Sequence, residues 1–150
     1  EDLNGNDVGR KLLILARELD LQNEFEEIQI QNLIPEALRE GTAADFLKRL
    51  SELDGIYQNI KDAQGPNEVL RYIGELSGDL QQDKGKLEVK LISVPANSAL
   101  GSLKGSDSIF EIYTESYGEQ PIVIQGAGAG ASVTARGVFG DILRLSEKKL

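Results

Sequence analysis

Two stretches of the sequence hold residues whose types and spacing can support chemistry, and the first opens the chain. Asp7 and Lys11 are four residues apart, so on an α-helix their side chains share one face at its N-terminal end. Asp2 precedes a turn and can fold back toward the same place. A lysine beside carboxylates can donate a proton, and carboxylates can hold the ammonium group of a substrate. An ordinary surface ion pair explains the same spacing and is the commoner case.

The second stretch is the glycine-rich segment 126–130 (GAGAG), which follows a predicted strand and precedes a predicted helix. Glycines let a backbone approach a ligand closely, and a helix N-terminus offers N–H groups to an anion. A complete dinucleotide-binding unit does not fit, because twenty residues after Gly130 leave no room for a second strand and its acidic residue. The alternatives are a turn that permits close helix-on-sheet packing and an auxiliary contact to a cofactor held elsewhere.

The composition excludes several classes of chemistry. The chain has no His and no Cys, which removes most zinc sites, Ser-His and Cys-His nucleophile pairs, disulfides and thiol redox chemistry. The acids at positions 24, 26 and 27 lack the spacing of metal ligands, so we predict no metal site. Catalysis would depend on Lys, Asp, Glu, Tyr, Ser or Thr.

Charge and hydropathy limit the partners. The formal net charge of -9 is spread along the chain, which argues against a nucleic-acid partner because phosphate binding needs clustered cations. The longest apolar run, residues 12–16, is too short to span a membrane. No basic-then-apolar segment opens the chain, so we expect a cytoplasmic location.

Hydrophobic periodicity predicts an order of helices followed by strands and a last helix. The first helix is predicted over 6–19, and the second begins at Thr42, with Asp45 three residues on, and is bent or split at Gly55. Alternation predicts a half-exposed strand over 24–31. Further short β-branched runs are predicted strands, and a final segment is a predicted helix: 69–76, 87–94, 109–113, 122–124 and 131–148.

This order predicts an α+β fold. We expect a mixed, largely antiparallel sheet covered on one face by helices, with a C-terminal helix after the glycine-rich turn. The runs 69–76 and 87–94 are close enough in sequence to form a hairpin. A sheet covered on only one face by helices leaves another face to be covered, which predicts exposed apolar surface on this chain.

Both chemical stretches resemble one family. The opening EDLNGNDVGRKLLILARE resembles the D-D-L-x-G-x-D-V-A-R-K segment of homoserine dehydrogenases, and QGAGAGASVTARGVFGDILRL resembles their G-x-G-x-G-x-x-V-T-A-x-G-V segment. Between them, VLRYIG and GSDSI are similar to strand segments of the family, in the same order. The spacing of the middle region is most similar to the dehydrogenase half of bifunctional aspartokinase–homoserine dehydrogenases.

The resemblance implies an enzyme that interconverts L-homoserine and L-aspartate 4-semialdehyde with NADP or NAD, in threonine and methionine biosynthesis. Lys11 matches the family's acid/base lysine, and Asp7 and Asp2 match its substrate-binding carboxylates. Gly130 matches the glycine whose backbone contacts the nicotinamide cofactor. The family also implies a homodimer through this region.

The resemblance has departures and limits. Glu1 stands where the family usually has Asp, and Gly9 where it usually has Ala. The family's nucleotide-binding domain, a second active-site lysine and a substrate-binding glutamate precede the matched part. We therefore expect residues 1–150 to form the substrate-binding, catalytic and dimerisation domain, with the cofactor bound mainly by a domain outside it. The isolated chain is expected to be inactive.

Two alternatives from other classes stay open at this point. The same fold can serve as a module that binds an amino acid without chemistry, in which case Lys11 would not matter for affinity. It can also serve only for dimerisation, in which case neither Asp7 nor Lys11 would affect turnover.

Overall fold

The computed structural model describes residues 2–81 and 84–147, and the chain divides after Pro95 into two compact units. We number the helices and strands in chain order. The helices are α1 (Asn6–Glu18), α2 (Ala43–Lys48), α3 (Asp54–Asp62) and α4 (Ala131–Glu147). The strands are β1 (Gln29–Ile30), β2 (Glu68–Ser77), β3 (Lys86–Pro95), β4 (Asp107–Ile112) and β5 (Ile122–Ala127). The predicted α+β fold is confirmed.

The first unit is built on a three-stranded mixed sheet in the order β1-β3-β2. β2 and β3 pair antiparallel over ten residues each, with Gly74 opposite Val89, which confirms the predicted hairpin pairing. β1 pairs parallel to the other edge of β3, where Ile30 also lies opposite Val89. Val89 is therefore in the central strand, and its side chain is buried.

Helix α1 packs on this sheet and forms the core with it. Its amphipathic pattern places Leu12 and Ala16 on the buried face. They join four other buried side chains, Leu21, Ile28, Leu87 and Val89. Gly9 permits the close approach, since a Cβ there would lie 3.0 Å from Ile30 Cδ1 and 3.3 Å from Phe25 Cε2. The packing thus accounts for a glycine at this position.

The C-terminal end of α1 turns into the core. Asp20 has a φ of 60°, and its N–H donates to the Arg17 carbonyl, while the Leu21 N–H donates to the Ala16 carbonyl. These two bonds form a Schellman motif, in which the residue after the left-handed position makes an apolar contact with the last turn. The motif places Leu21, 1% exposed, in the core beside Ala16.

Asn23 continues this connection and is a buried polar residue. Its amide donates to the Gly85 carbonyl and accepts from the Gly85 N–H, both at 2.9 Å. A buried amide satisfied on both sides avoids the desolvation cost of an unpaired polar group. The pair ties the end of α1 to the residue that precedes β3.

Two segments differ from their predicted structure. Residues 24–31 form a 3-10 turn, Phe25–Glu27, and only a two-residue strand, rather than one long strand. The Glu27 carboxylate accepts the Glu24 N–H at 2.8 Å, which closes the turn where alternation predicted extended backbone. Capping geometry therefore prevails over the alternating pattern here.

The second predicted helix begins as expected but is interrupted at a different residue. Thr42 Oγ1 accepts the Asp45 N–H at 3.2 Å, which confirms the predicted helix start. The helix breaks after Lys48 into a 3-10 turn, Leu50–Leu53, and Gly55 lies inside α3. Arg49, at the break, donates to the Ala37 carbonyl and to the Glu52 carboxylate.

The second unit contains a two-stranded antiparallel sheet and the last helix. β4 and β5 pair from Asp107 opposite Ala127 to Ile112 opposite Ile122. The described strands therefore belong to two sheets rather than one. α4 follows the glycine-rich turn as predicted, and Lys148, at its predicted end, lies outside the described residues.

Much apolar surface of the second unit is exposed, which confirms that prediction. Within the described chain α4 has no buried residue, and β5 is exposed along its length. Large apolar side chains with at least half of their surface exposed are found on both elements: Ile124, Val138, Phe139, Ile142 and Leu145. Across the described ranges, no helix combines the length and the apolar character needed to cross a membrane.

Replacing Leu21 by Ala should lower the free energy of unfolding by about 2–5 kcal/mol, because the substitution leaves a cavity between α1 and the sheet. The matched control is Leu47→Ala, since Leu47 on α2 is 64% exposed. Its effect should stay within about 0.5 kcal/mol. Urea unfolding of both variants measures the difference, and equal losses would contradict the core assignment.

Candidate active site

Asp7 and Lys11 form an ion pair at the N-terminal end of α1. The Lys11 Nζ lies 2.6 Å from Asp7 Oδ2, as the four-residue spacing predicts. The Lys11 side chain is 72% exposed and the Asp7 side chain 38%, so both are open to a molecule arriving from solvent. Leu12 and Ala16 hold the opposite face of the helix against the sheet, which orients the pair outward.

The pair keeps the Asp7 carboxylate ionised. The hydrogen bond from Lys11 lowers the pKa of Asp7 below its ordinary value, and the charges of Lys11 and Arg10 act in the same direction. Asp7 also lies in the first turn of α1, where the helix dipole favours an anion. Since the pKa is lower in the folded state, this ionised carboxylate favours folding above its unfolded pKa, and the contribution disappears as pH falls through the folded pKa.

Asp2 begins the turn that leads into α1. Its carbonyl accepts the Gly5 N–H at 3.3 Å, and its side chain is exposed. The Asn4 side chain accepts the N–H of Asn6, the first residue of α1, at 2.9 Å. The structure thus brings Asp7 and Lys11 into contact and places Asp2 at the start of the turn that precedes them.

The turn is held by residues that are distant in sequence. Gly5 has a φ of 78°, and a Cβ there would overlap the Tyr72 hydroxyl and lie 2.7 Å from Ile30 Cγ2. Leu33 donates its N–H to the Leu3 carbonyl at 2.9 Å. No local pattern in the sequence marks Tyr72 as part of this turn. Its ring does pack against the core, and its hydroxyl also donates to the Gln31 carbonyl at 2.6 Å.

Gly130 lies in the second unit, at the start of α4. Its φ of 121° is a conformation that favours glycine, and its carbonyl accepts both the N–H and the hydroxyl of Thr134. Among the described residues, none approaches the position of a Gly130 Cβ within 4 Å. The backbone is therefore open to a ligand at the end of the helix where N–H groups lack intrahelical partners.

Gly128 shows a different constraint. A Cβ at this position would overlap the side chain of Ser108 on β4, so the glycine-rich turn fits against the strand pair. Both interpretations of the turn therefore have a physical basis: Gly128 permits close packing, and Gly130 leaves its backbone accessible.

The described residues include no group of three or more carboxylates arranged to hold a metal ion.

Comparison with known proteins identifies the family. The family model described as homoserine dehydrogenase matches residues 1–143. A bifunctional aspartokinase/homoserine dehydrogenase 1, chloroplastic, from Zea mays is 43% identical over 97% of this chain and 16% of its own length. A homoserine dehydrogenase from Paracoccidioides brasiliensis is 42% identical over 99% of this chain and 40% of its own.

A solved structure is also similar. A crystal structure of a Candida auris protein of unknown function aligns with a TM-score of 0.76 and 39% identity, over 97% of this chain and 40% of that one. The chain therefore spans less than half of the length of each of these three proteins.

Replacing Lys11 by Met should raise the pKa of Asp7 toward its ordinary value, because the hydrogen bond from Lys11 is the largest cause of the lowered pKa. Carboxyl-detected NMR titration measures this pKa directly. Lys48→Met is the matched control, since Lys48 pairs with Asp45 on α2. It should leave the pKa of Asp7 unchanged, and an Asp7 pKa that is the same in all three proteins would refute the pairing.

Proposed function

The chain belongs to the homoserine dehydrogenase family, and from this membership we propose that it forms the substrate-binding and catalytic part of an enzyme that interconverts L-homoserine and L-aspartate 4-semialdehyde. The observation that carries the proposal is the exposed Asp7–Lys11 ion pair at the N-terminus of α1. The pair places an acid/base group and a carboxylate close enough together for one substrate molecule to contact both. The pathway would be the biosynthesis of threonine and methionine.

Lys11 is the proposed acid/base. In the direction of reduction, its ammonium group donates a proton to the carbonyl oxygen of the semialdehyde, while the carbonyl carbon accepts a hydride. In the reverse direction, the lysine removes the proton from the hydroxyl group of homoserine. The exposed ammonium group of Lys11, held 2.6 Å from Asp7, supports this assignment.

Asp7 and Asp2 are the proposed ligands of the substrate's ammonium group. One oxygen of Asp7 contacts Lys11, and the carboxylate has a second oxygen that can accept a bond from the substrate. Because Lys11 and the helix N-terminus keep Asp7 ionised, it can hold a cation without first losing a proton. Asp2, exposed at the start of the preceding turn, would add a second carboxylate.

NADP or NAD would supply the hydride when bound. Gly130 fits a backbone contact to the nicotinamide cofactor, because its conformation leaves the start of α4 open to a ligand. The family resemblance implies a nucleotide-binding domain that precedes the matched residues 1–143. We therefore propose that a domain outside residues 1–150 binds most of the cofactor.

A homodimer is the proposed assembly. Its support is the exposed apolar surface of β5 and α4, which would be costly to leave in contact with water. The cytoplasmic location stays a prediction, and the maize relative described above is named as chloroplastic.

In the natural full-length protein, Lys11→Met should lower kcat at least about 100-fold, the usual contribution of a positioned acid/base. The KM for homoserine should change little, because a proton donor need not contribute to ground-state affinity. Steady-state oxidation of homoserine measures both constants. Lys48→Met, which removes an exposed lysine of similar pairing on α2, should match the wild type.

The same assay, together with a calorimetric measurement of homoserine binding, separates the other classes of function. If homoserine binds but no turnover occurs in the wild type, the chain is part of an amino-acid-binding module. If turnover occurs and neither Asp7→Ala nor Lys11→Met changes it, this region serves assembly only. Either result would overturn the proposed catalytic role.

A polypeptide of residues 1–150 alone should not oxidise homoserine with NADP or NAD, because the proposed cofactor domain lies outside it. Absorbance at the wavelength of the reduced nicotinamide measures this, with circular dichroism as the control that the polypeptide is folded. Turnover by the folded polypeptide would contradict the proposal that a separate domain binds most of the cofactor.

A further inference from the structure

A short backbone segment, residues 31–34, supports the turn that carries Asp2. It follows β1 and is anchored to β3, because the Gln31 N–H donates to the Val89 carbonyl and the Gln31 side chain accepts the Leu91 N–H. At its other end, the Leu33 N–H donates to the Leu3 carbonyl at 2.9 Å. The position of turn 2–5 therefore depends on the position of this segment.

Two tyrosine hydroxyls hold the segment from different elements. Tyr72 on β2 donates to the Gln31 carbonyl, and Tyr57 on α3 donates to the Leu33 carbonyl, each at 2.6 Å. These distances are at the short end of the usual range for hydroxyl donors. Burial raises the pKa of both hydroxyls, so they stay protonated donors into the alkaline range.

Tyr72 also touches the turn itself. Its hydroxyl occupies the space that a Cβ on Gly5 would need, and Gly5 is the residue from which α1 starts. The Gly5 carbonyl accepts the Gly9 N–H at 2.9 Å, in the first turn of the helix that contains Asp7. One hydroxyl group thus contacts both the segment and the start of α1.

We propose that Tyr72 and Tyr57 are positioning residues of the active site, whose hydroxyls fix turn 2–5 and thereby place Asp2 relative to Asp7. The proposal rests on the proposed function, in which these two carboxylates hold the ammonium group of homoserine. Two carboxylates can bind the same cation only when the distance between them lets both contact it. A displacement of the turn would therefore weaken substrate binding rather than proton transfer.

The test uses Tyr72→Phe and Tyr57→Phe in the natural full-length protein, with Tyr117→Phe as the matched control, since Tyr117 in the second unit is 61% exposed. Phenylalanine keeps the ring and removes only the hydroxyl. Steady-state assays give KM for homoserine, KM for NADP and kcat. Hydrogen exchange of the Leu33 amide reports whether its bond to Leu3 persists.

We expect the KM for homoserine to rise roughly tenfold in each of the two variants. This effect is smaller than the roughly hundredfold loss of rate that a 1 Å misplacement of a reacting group can cause. KM for NADP should not change, and the Leu33 amide should exchange faster. The control should match the wild type in all of these measurements. Each variant is an independent test, so if one fails to fold, the other still tests the proposal.

A purely structural role gives a different pattern. Less folded protein lowers the apparent kcat and the melting temperature but leaves KM for homoserine unchanged, and that result overturns the proposal. A wild-type protein that does not oxidise homoserine refutes the proposed function instead. The two failures are therefore distinguishable in the same experiment.

Discussion

The close packing of α1 on the three-stranded sheet is the constraint on which the candidate site depends. Gly9 lets the helix approach Phe25 and Ile30, while Leu12 and Ala16 enter the core opposite β3. Burial of apolar surface holds the helix in place, since it is the dominant favourable contribution to folding. The polar edge of the same helix then faces solvent and carries Asp7 and Lys11.

The ion pair itself contributes little to holding the fold. Both partners are exposed, and exposed pairs four residues apart on a helix are weak because water and salt screen them. Its significance is geometric and electrostatic: it orients the ammonium of Lys11 and keeps Asp7 charged. Stability and the proposed chemistry are therefore divided between the two faces of one helix.

The second unit shows the opposite balance between buried and exposed apolar surface. Its strand pair and its helix leave large apolar side chains exposed to solvent. The glycine-rich turn between β5 and α4 meets two separate requirements. Gly128 fits against Ser108, where a larger residue would collide, and Gly130 adopts a conformation that leaves its backbone accessible. A unit of this kind is suited to being covered by another protein surface, as the proposed homodimer requires.

The sequence by itself determined the features that depend on neighbours within a few residues. The bounds of α1, the Asp7–Lys11 pair, the Thr42 helix start and the hairpin of β2 and β3 follow from helical periodicity, capping and alternation. Only the tertiary structure decided the parallel pairing of β1, the division into two sheets and the break at Arg49. The tyrosine hydroxyls belong with these features, because Tyr72 and Gln31 are 41 residues apart in sequence. No local sequence pattern encodes this hydrogen bond, because it forms only when packing of the core brings β2 close to the segment that follows β1.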